Sequence, residues 1–278
     1  MALKNKKSLG QNWLKNREIL NEIADLAATD PIFDNPDATP AELEAAEAHT
    51  LETAKLPFCL EIGPGLGTLT SSLLKRFEKV LAVEFDADLA KNLPKSFPGT
   101  GLQVINADFL KCDLSDLPKN YIVAANIPYY ITSPIIEKLL TEPNLPSRIV
   151  ILIQKEVAER IAAAPGRLTN LALFVQNRAR VTLGPIVPRT EFTPAPKVDS
   201  QVIILDPKTP AVPEKTFKLI KQGMSSPRKK LLKNLSAFHD PETLHAAFAT
   251  LALNPDARPA DLTLADWAAL DTQLETKN

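Results

Sequence analysis

Five short apolar segments, separated by stretches of helical periodicity, restrict the fold of this chain more than any other feature. They are Phe58–Ile62, Val80–Phe85, Leu102–Asn106, Tyr121–Ala125 and Ile149–Gln154. Most are rich in β-branched residues and are bounded by Gly, Pro, Asp or Asn, as buried strands are. Strands that alternate with helices form right-handed βαβ units, so the pattern predicts an α/β fold with a mostly parallel sheet.

Two further strands, Val181–Val187 and Gln201–Leu205, lie close together and are expected to form an antiparallel edge pair. Strand signals end at Pro207, where a proline-containing linker begins, and the remaining residues have helical patterns. We therefore predict a seven-stranded sheet domain over 1–206 and a small helical domain over 207–278.

Composition excludes several classes of protein. The longest aliphatic run, Ile149–Ile153, is too short to span a bilayer, and no apolar stretch follows the N-terminal lysines as in a secretory signal. Two distant cysteines, Cys59 and Cys112, favour a reducing compartment, so we expect a cytoplasmic protein. The three histidines form no ligand-spaced cluster, so we expect no metal. Nothing in the sequence demands a dimer, and we expect a monomer.

The net charge of −1 conceals an uneven distribution. The segment 30–54 is acidic and rich in Ala and Glu, and it is expected to be an insertion. Basic residues concentrate in two clusters: Lys4, Lys6, Lys7, Lys15 and Arg17 near the N-terminus, and Lys215, Lys218, Lys221, Arg228, Lys229, Lys230 and Lys233 near the C-terminus. Such clusters are typical of phosphate-backbone contacts, although solvated helix faces have the same composition.

A glycine-rich turn follows the first predicted strand. Gly63, Gly65 and Gly67 allow a tight turn and let a ligand approach the backbone. The spacing resembles the dinucleotide fingerprint, but Thr68 stands where that motif has Gly or Ala. The turn alone is a weak signal.

Two carboxylates follow the next two strands. Glu84 stands about 20 residues after the glycines, where a carboxylate accepts hydrogen bonds from ribose hydroxyls. Asp108 either accepts from the amine of an adenine or caps the next helix. Together these residues favour a ligand that contains adenosine, but they do not separate a nicotinamide cofactor from S-adenosylmethionine.

The residues after the fourth strand, Asn126-Ile-Pro128-Tyr129, separate the two ligands. The lone pair of an adenine amino group is delocalised, and two carbonyl acceptors, Asn126 Oδ1 and a nearby backbone oxygen, would release it for attack on a sulfonium methyl. Pro128 stiffens the turn, and Tyr129 offers a ring on which an extruded base can stack. The alternative is an Asn–Pro turn with tyrosines packed beneath it.

Eight segments in order resemble the ribosomal RNA adenine N6,N6-dimethyltransferase family. They are LGQNWL (9–14), LEIGPGLGTLT (60–70), VEFD (83–86), NADFL (106–110), NIPYYITSPII (126–136), QKEVAERIAAAPG (154–166), FTPAPKVDS (192–200) and PRKKLLKNL (227–235). They are most similar to the branch that dimethylates two adjacent adenosines in the 3′-terminal hairpin of small-subunit (16S) ribosomal RNA, a step in ribosome biogenesis. The chain departs from the family at Trp13, where Phe is commoner, and at Tyr130, where Asn is frequent.

This resemblance implies a class I S-adenosylmethionine-dependent methyltransferase domain with a helical C-terminal domain. Its substrate would be small-subunit ribosomal RNA or a pre-30S particle. The positions that match cofactor contacts of the family are Asn12, Leu14, Gly63, Glu84, Asp108 and Asn126. The match to FTPAPKVDS implies that Phe192 is a second aromatic wall for the target base, beside the catalytic residues Asn126, Pro128 and Tyr129.

Three other functions remain open at this point. The first is methylation of large-subunit (23S) ribosomal RNA of the macrolide-resistance type, which PKVDS and the helical tail disfavour. The second is a non-catalytic ribosome-assembly factor, which the intact Asn126–Tyr129 loop disfavours. The third is a nicotinamide-dependent oxidoreductase, which Thr68 and the lack of a hydride-transfer partner disfavour.

The C-terminal basic cluster is expected to bind RNA backbone. Ser226 and Pro227 are typical of a helix start, and a helix from there would direct Leu231, Leu232 and Leu235 inward. The residues expected to contact phosphate are Arg228, Lys229, Lys230 and Lys233.

Overall fold

A computed structural model describes residues 11–30, 38–41 and 55–275. Lys4, Lys6, Lys7 and all of the expected acidic insertion except Asp30 and 38–41 lie outside these residues. The described chain divides into two compact units. The first ends at Ala158 and resumes over Thr182–Pro207, and the second comprises Glu159–Val181 and the chain from Lys208 onward.

The sheet of seven strands confirms the predicted α/β class. The described residues form nine strands, of which seven belong to this sheet. They are β1 (Trp13–Leu14), β2 (Leu56–Ile62), β3 (Phe77–Glu84), β4 (Leu102–Asn106), β5 (Ile122–Asn126), β6 (Arg148–Gln154), β7 (Ala179–Val187), β8 (Phe192–Thr193) and β9 (Ser200–Pro207). The order in the large sheet is β4-β3-β2-β5-β6-β9-β7. Strands β2 to β6 pair in parallel, and β9 pairs antiparallel with β6.

The order of the last two strands in the large sheet, β7 and β9, is the reverse of their order in the chain. Strand β9 lies inside the sheet between β6 and β7, and β7 is at the edge. This agrees with their burial, because the side chains of β9 are nearly all buried whereas those of β7 are largely half-buried. The short strands β1 and β8, which the sequence pattern did not reveal, pair with each other in a separate two-stranded sheet.

Helix α1 (Arg17–Ala28) packs on the sheet through a stripe of apolar residues. Asn16 caps its start, because its side chain accepts hydrogen bonds from the backbone N–H groups of Glu18 and Ile19. The buried residues are Leu20, Ile23, Ala24 and Ala27, which recur at the spacing of one helix face. Further helices before residue 170 include α2 (Thr70–Leu73), α3 (Ala87–Asn92), α4 (Thr132–Leu139) and α5 (Lys155–Ile161).

A fully buried ion pair joins three elements of the first unit. The guanidinium of Arg148, at the start of β6, donates to both carboxylate oxygens of Asp206 on β9, at 2.8 and 3.2 Å. It also donates to the carbonyls of Leu26 and Thr29 at the end of α1, at 3.2 and 3.0 Å. These bonds satisfy carbonyls that the helix leaves without a partner.

The second unit is helical and has its own core. Its helices are α6 (Asn170–Arg178), α7 (Thr216–Gly223), α8 (Leu231–Leu235), α9 (Pro241–Thr250) and α10 (Leu264–Glu275). Trp267, Leu231 and Phe248 are among the residues buried in this core. Ala172 and Leu173 of α6 belong to the same core, so Glu159–Val181 joins this unit although it precedes the predicted boundary near residue 207. Across the described chain, no helix has the length and apolar character needed to cross a bilayer.

The predicted start of the basic helix is wrong. Helix α8 begins at Leu231, and residues 226–229 form a turn in which Lys229 N–H donates to Ser226 O at 2.9 Å. The Leu231 N–H donates to Ala257 O at 2.8 Å, so it is not available for a helical bond to Pro227. Of the four basic residues only Lys233 lies on the helix, although all four are exposed. Leu231 and Leu235 are buried as expected.

Candidate active site

A cavity of about 270 Å³ lies at the carboxyl ends of β2, β3, β4 and β5. Because the carboxyl ends of parallel strands share one edge of a sheet, residues far apart in the sequence meet there. The predicted site residues that line the cavity are Asn12, Gly63, Gly65, Glu84, Asp108, Asn126, Pro128 and Tyr129. The sequence therefore located the cavity and most of its wall.

The glycine turn forms one side of the cavity. Gly63 has a φ of +65°, and a Cβ added there would meet no atom within 4 Å, so it would stand in open space at the cavity wall. Gly65 has a φ of +57°, and its N–H donates to Glu84 Oε2 at 3.0 Å. The turn thus exposes backbone to a ligand and fixes one carboxylate.

Glu84 is held by two backbone donors. Its Oε2 accepts from Gly65 and its Oε1 accepts from Asp86 N–H at 2.8 Å. Burial raises the pKa of Glu84 above its ordinary value, and the two backbone hydrogen bonds oppose that rise. Each carboxylate oxygen keeps a further acceptor position for a ligand hydroxyl.

Asp108 caps the next turn, which is one of the two alternatives for its position, and it also lies at the cavity. Its Oδ1 accepts from Leu110 N–H at 3.1 Å and so caps the short 3₁₀ turn Phe109–Lys111, while the residue also lines the cavity. The capping bond orients the carboxylate, and Oδ2 lies 3.8 Å from Lys111 Nζ.

Glu61 is a third carboxyl on the cavity wall, to which the sequence analysis assigned no role. It is 1 % exposed and accepts a hydrogen bond from Thr70 Oγ1 at 2.6 Å. Burial raises its pKa to about 8, and the charge of Glu84 adds to the rise. The sequence feature that could have identified Glu61 as a site residue is its position at the start of the glycine motif. The described residues that line the cavity include these three carboxyls and no Lys, Arg or His.

Asn126 ends β5 with its carboxamide oriented by the chain near the N-terminus. Its Nδ2 donates to Asn12 O at 3.4 Å, and its Oδ1 accepts from no donor among the described residues. The carbonyl of Pro128 accepts from Ile131 N–H at 3.2 Å, whereas that of Ile127 accepts no hydrogen bond from a described residue. Two carbonyl acceptors, Asn126 Oδ1 and Ile127 O, are therefore available in one loop.

Tyr129 is fixed by a residue that the sequence analysis did not single out. Its hydroxyl lies 2.7 Å from Ser200 Oγ, and Ser200 is fully buried at the start of β9. Burial raises the pKa of the Tyr129 phenol, and the hydrogen bond to Ser200 opposes that rise. The ring is half-buried and lines the cavity, next to the exposed ring of Tyr130.

Two expected site residues lie elsewhere in this structure. Phe192 is 4 % exposed and packs in the core, so it does not form an aromatic wall of the cavity as expected. Leu14 is fully buried in the same core. Their backbones pair in the β1–β8 ladder, which directs both side chains inward. Among the described residues, no group of three or more His, Cys, Asp or Glu could hold a metal ion.

Comparison with known proteins identifies the family. The family model described as ribosomal RNA adenine dimethylase matches residues 2–275. This chain belongs to that family. The match includes every segment on which the resemblance was based, and it extends through the helical unit.

Curated relatives in the dimethylase family cover nearly the whole chain. A protein of Synechococcus sp. (strain JA-2-3B'a(2-13)), named ribosomal RNA small subunit methyltransferase A, is 39 % identical over 98 % of this chain and 93 % of its own length. A protein of the same name from Anaeromyxobacter sp. (strain K) is 37 % identical over 98 % of this chain and 94 % of its own length.

Solved structures agree with the dimethylase fold. A dimethyladenosine transferase from Plasmodium falciparum superposes with a TM-score of 0.73 at 25 % identity, covering 95 % of this chain and 98 % of that one. The crystal structure of the 23S rRNA methyltransferase ErmE gives a TM-score of 0.69 at 24 % identity, covering 95 % of this chain and 99 % of that one. This second likeness concerns the fold alone.

Proposed function

We propose that this chain transfers methyl groups from S-adenosylmethionine to N6 of two adjacent adenosines in the 3′-terminal hairpin of small-subunit (16S) ribosomal RNA. The product would be N6,N6-dimethyladenosine, made during biogenesis of the small subunit. The observation that carries the proposal is the oriented Asn126 carboxamide beside Tyr129 at the end of β5. Relatives named small subunit methyltransferase A support the choice of RNA.

The cavity suits S-adenosylmethionine because its charge is opposite to that of the ligand. The carboxylates of Glu84 and Asp108 line the wall without a Lys, Arg or His among the described lining residues, and the cofactor has a cationic sulfonium and an ammonium group. Trp13 is also on this wall, and its Nε1 is buried without a hydrogen-bond partner among the described residues. The residues that would hold the cofactor are those of the predicted set that line the cavity: Asn12, Gly63, Gly65, Glu84, Asp108 and Asn126.

The nucleophile would be prepared by the loop after β5. S-adenosylmethionine, when bound, supplies an electrophilic methyl group and leaves as a neutral thioether. Asn126 Oδ1 and Ile127 O would accept hydrogen bonds from the two N–H groups of the adenine amine, which favours a tetrahedral nitrogen with an available lone pair. As each methyl group is added, the nitrogen would release one proton to solvent. Pro128 limits motion of this loop, and the Tyr129 ring would stack on the extruded base. The chain mainly positions the two reactants.

The RNA-binding contribution of the helical unit would come from Arg228, Lys229, Lys230 and Lys233. All four are exposed, and Lys230 Nζ lies 2.5 Å from Asp256 Oδ1. Such residues neutralise backbone phosphate without reading sequence. We propose that the protein acts in the cytoplasm, since Cys59 and Cys112 form no disulfide.

The experiment is transfer of labelled methyl groups to small subunits that lack the modification, followed by mapping of the modified nucleotides. We expect dimethyladenosine at two adjacent positions in the 3′-terminal hairpin. Large-subunit RNA and NAD serve as the control substrate and control cofactor. Methylation confined to large-subunit RNA would contradict the proposed substrate, and particle binding without methyl transfer would indicate an assembly factor.

A further inference from the structure

Tyr130 stands on the rim of the cavity with most of its ring in solvent. Its side chain is 65 % exposed, although the residue lines the same cavity as Asn126 and Tyr129. Within the described residues, the Tyr130 side chain has no hydrogen-bond partner and no ring contact. An aromatic ring in water gains none of the free energy that burial would provide, so packing does not explain the exposed ring of Tyr130.

The backbone around Tyr130 is nevertheless well fixed. The residue lies in the 3₁₀ turn Tyr129–Ile131, which the Ile131 N–H closes onto Pro128 O at 3.2 Å. Thr132 Oγ1 donates to Tyr129 O at 3.1 Å, and α4 begins at that threonine. The ring of Tyr130 is therefore presented to solvent from a constrained position beside the cavity.

The two adjacent tyrosines differ in their surroundings. Tyr129 is half-buried and hydrogen-bonded to Ser200, so its ring is fixed in the way that stacking on one enclosed base requires. Tyr130 is exposed and has no such bond, as a surface for a second base outside the cavity requires. Unpaired bases stack on aromatic side chains with little dependence on base identity.

We propose that Tyr130 forms a second base subsite, in which its ring stacks on the unpaired base next to the adenosine in the cavity. The inference rests on the proposed function, because it needs an extruded target base beside Tyr129. It adds a contact to the neighbouring nucleotide and explains how adjacent adenosines are held while one reacts.

The test compares Tyr130→Asn with Tyr130→Phe on hairpin RNAs with both adenosines or with either one replaced by an abasic nucleotide. On the intact hairpin, Tyr130→Asn should raise KM for RNA about tenfold with a smaller change in kcat, since stacking is worth roughly 1–3 kcal/mol per base. Tyr130→Phe restores the ring and should restore KM. When the neighbouring base is absent, Tyr130→Asn should raise KM less than twofold.

A matched control is Leu145→Asn, which changes an exposed apolar residue before β6, at the opposite edge of the sheet. It should leave KM for RNA unchanged. If Tyr130→Asn has the same effect on intact and abasic hairpins, the subsite is refuted while the proposed function stands. If the wild-type protein methylates neither the hairpin RNAs nor unmodified small subunits, the proposed function itself fails, and the subsite with it.

A separate observation concerns Ser200, whose hydroxyl is a fixed anchor for Tyr129. Ser200 is fully buried, and its backbone pairs with Gln154 in the antiparallel ladder between β9 and β6. The side chain therefore has little freedom, and its Oγ lies 2.7 Å from the Tyr129 hydroxyl. We infer that Ser200 is a positioning residue that sets the orientation of the Tyr129 ring against the target base.

A double-mutant cycle tests this role. Ser200→Ala and Tyr129→Phe should each lower kcat/KM for RNA about fivefold, because a net hydrogen bond is worth roughly 0.5–1.5 kcal/mol. The double variant should be no slower than the single variants, since both remove the same bond. Additive losses would refute the role.

Ser72→Ala supplies the matched control for the loss of a buried serine hydroxyl. Ser72 is also fully buried, and its Oγ donates to Asn21 Oδ1 at 2.9 Å. We expect it to lower the Tm as Ser200→Ala does but to leave kcat/KM unchanged. An equal loss of kcat/KM in both variants would indicate that Ser200 is only structural.

Discussion

At the scale of single residues, the carboxamide of Asn126 determines the proposed chemistry. The hydrogen bond from Nδ2 to Asn12 O fixes the orientation of the carboxamide before any ligand binds. Its Oδ1 can then accept a hydrogen bond from the ligand. After one methyl addition the adenine nitrogen keeps a single N–H. One carbonyl must then suffice, and the pocket must accept a methyl group where a proton was.

Asn126→Ala should therefore abolish both additions, not only the second. We expect a loss of at least about a hundredfold in kcat, comparable to the removal of one preorganised polar group in other active sites. Mass spectrometry of the modified nucleosides measures the two products separately. Asn21→Ala, another half-buried asparagine, is the control. Abundant dimethyladenosine from Asn126→Ala would contradict the proposed clamp.

Glu61 should make the stability of the protein depend on pH. Its pKa of about 8 lies above the ordinary value of 4.5, so the folded chain binds this proton more tightly than the unfolded chain. The resulting stabilisation is complete below about pH 4.5 and is lost as the pH rises through about 8. Between pH 6 and 9, the Tm of the wild-type protein should fall relative to that of Glu61→Gln. If the Tm values of the wild-type protein and of Glu61→Gln changed in parallel over this pH range, Glu61 would be ionised throughout it.

At the scale of elements, the end of α1 depends on the ion pair between Arg148 and Asp206. Both side chains are almost fully buried. Removing one partner would leave the other as an uncompensated buried charge. The pair therefore links the attachment of α1 to the register of β6 and β9.

Asp206→Ala should lower the free energy of unfolding by about 3–5 kcal/mol, measured by urea denaturation. The control is Asp25→Ala, which breaks the more exposed pair between Asp25 and Arg76 and should cost about 1 kcal/mol or less. Replacing Arg148 and Asp206 together with Met and Leu should restore part of the loss. Equal effects of Asp206→Ala and Asp25→Ala would mean that the buried charge is solvated.

The elements were predictable to different degrees. Each of the seven strands of the large sheet was found from its own short run of apolar and β-branched residues. The two-residue strands β1 and β8 have no such run and form only because they meet each other. The start of α8 was missed because a distant carbonyl, Ala257 O, takes the N–H of Leu231.

At the scale of the whole molecule, net charge says little about RNA binding. The chain has a formal charge of −1, yet the residues proposed to contact phosphate are concentrated in the helical unit. Arg228, Lys229 and Lys233 are exposed. Their contribution to binding would be electrostatic and hence sensitive to salt.

Reversing Arg228, Lys229 and Lys233 to Glu should weaken RNA binding broadly and flatten its salt dependence. The slope of log K against log salt concentration should fall by about 0.7–0.9 for each phosphate that the variant no longer neutralises. Fluorescence anisotropy with labelled hairpin RNA at several salt concentrations measures it. Lys119→Glu, an exposed lysine before β5, should leave the slope nearly unchanged. An unchanged slope in the triple variant would mean that these residues form only a solvated surface.

The order of residues along the chain was enough to predict the sheet and most of the cavity wall. Gly63, Glu84, Asp108 and Asn126 each end a strand or follow one within two residues, and parallel strands bring those ends to one edge. The folded chain was needed to show that Ser200 anchors Tyr129 and that Phe192 turns into the core. It was needed also to show that burial beside Glu84 raises the pKa of Glu61. These properties arise from contacts between residues distant in the chain, and no local pattern of residues specifies such contacts.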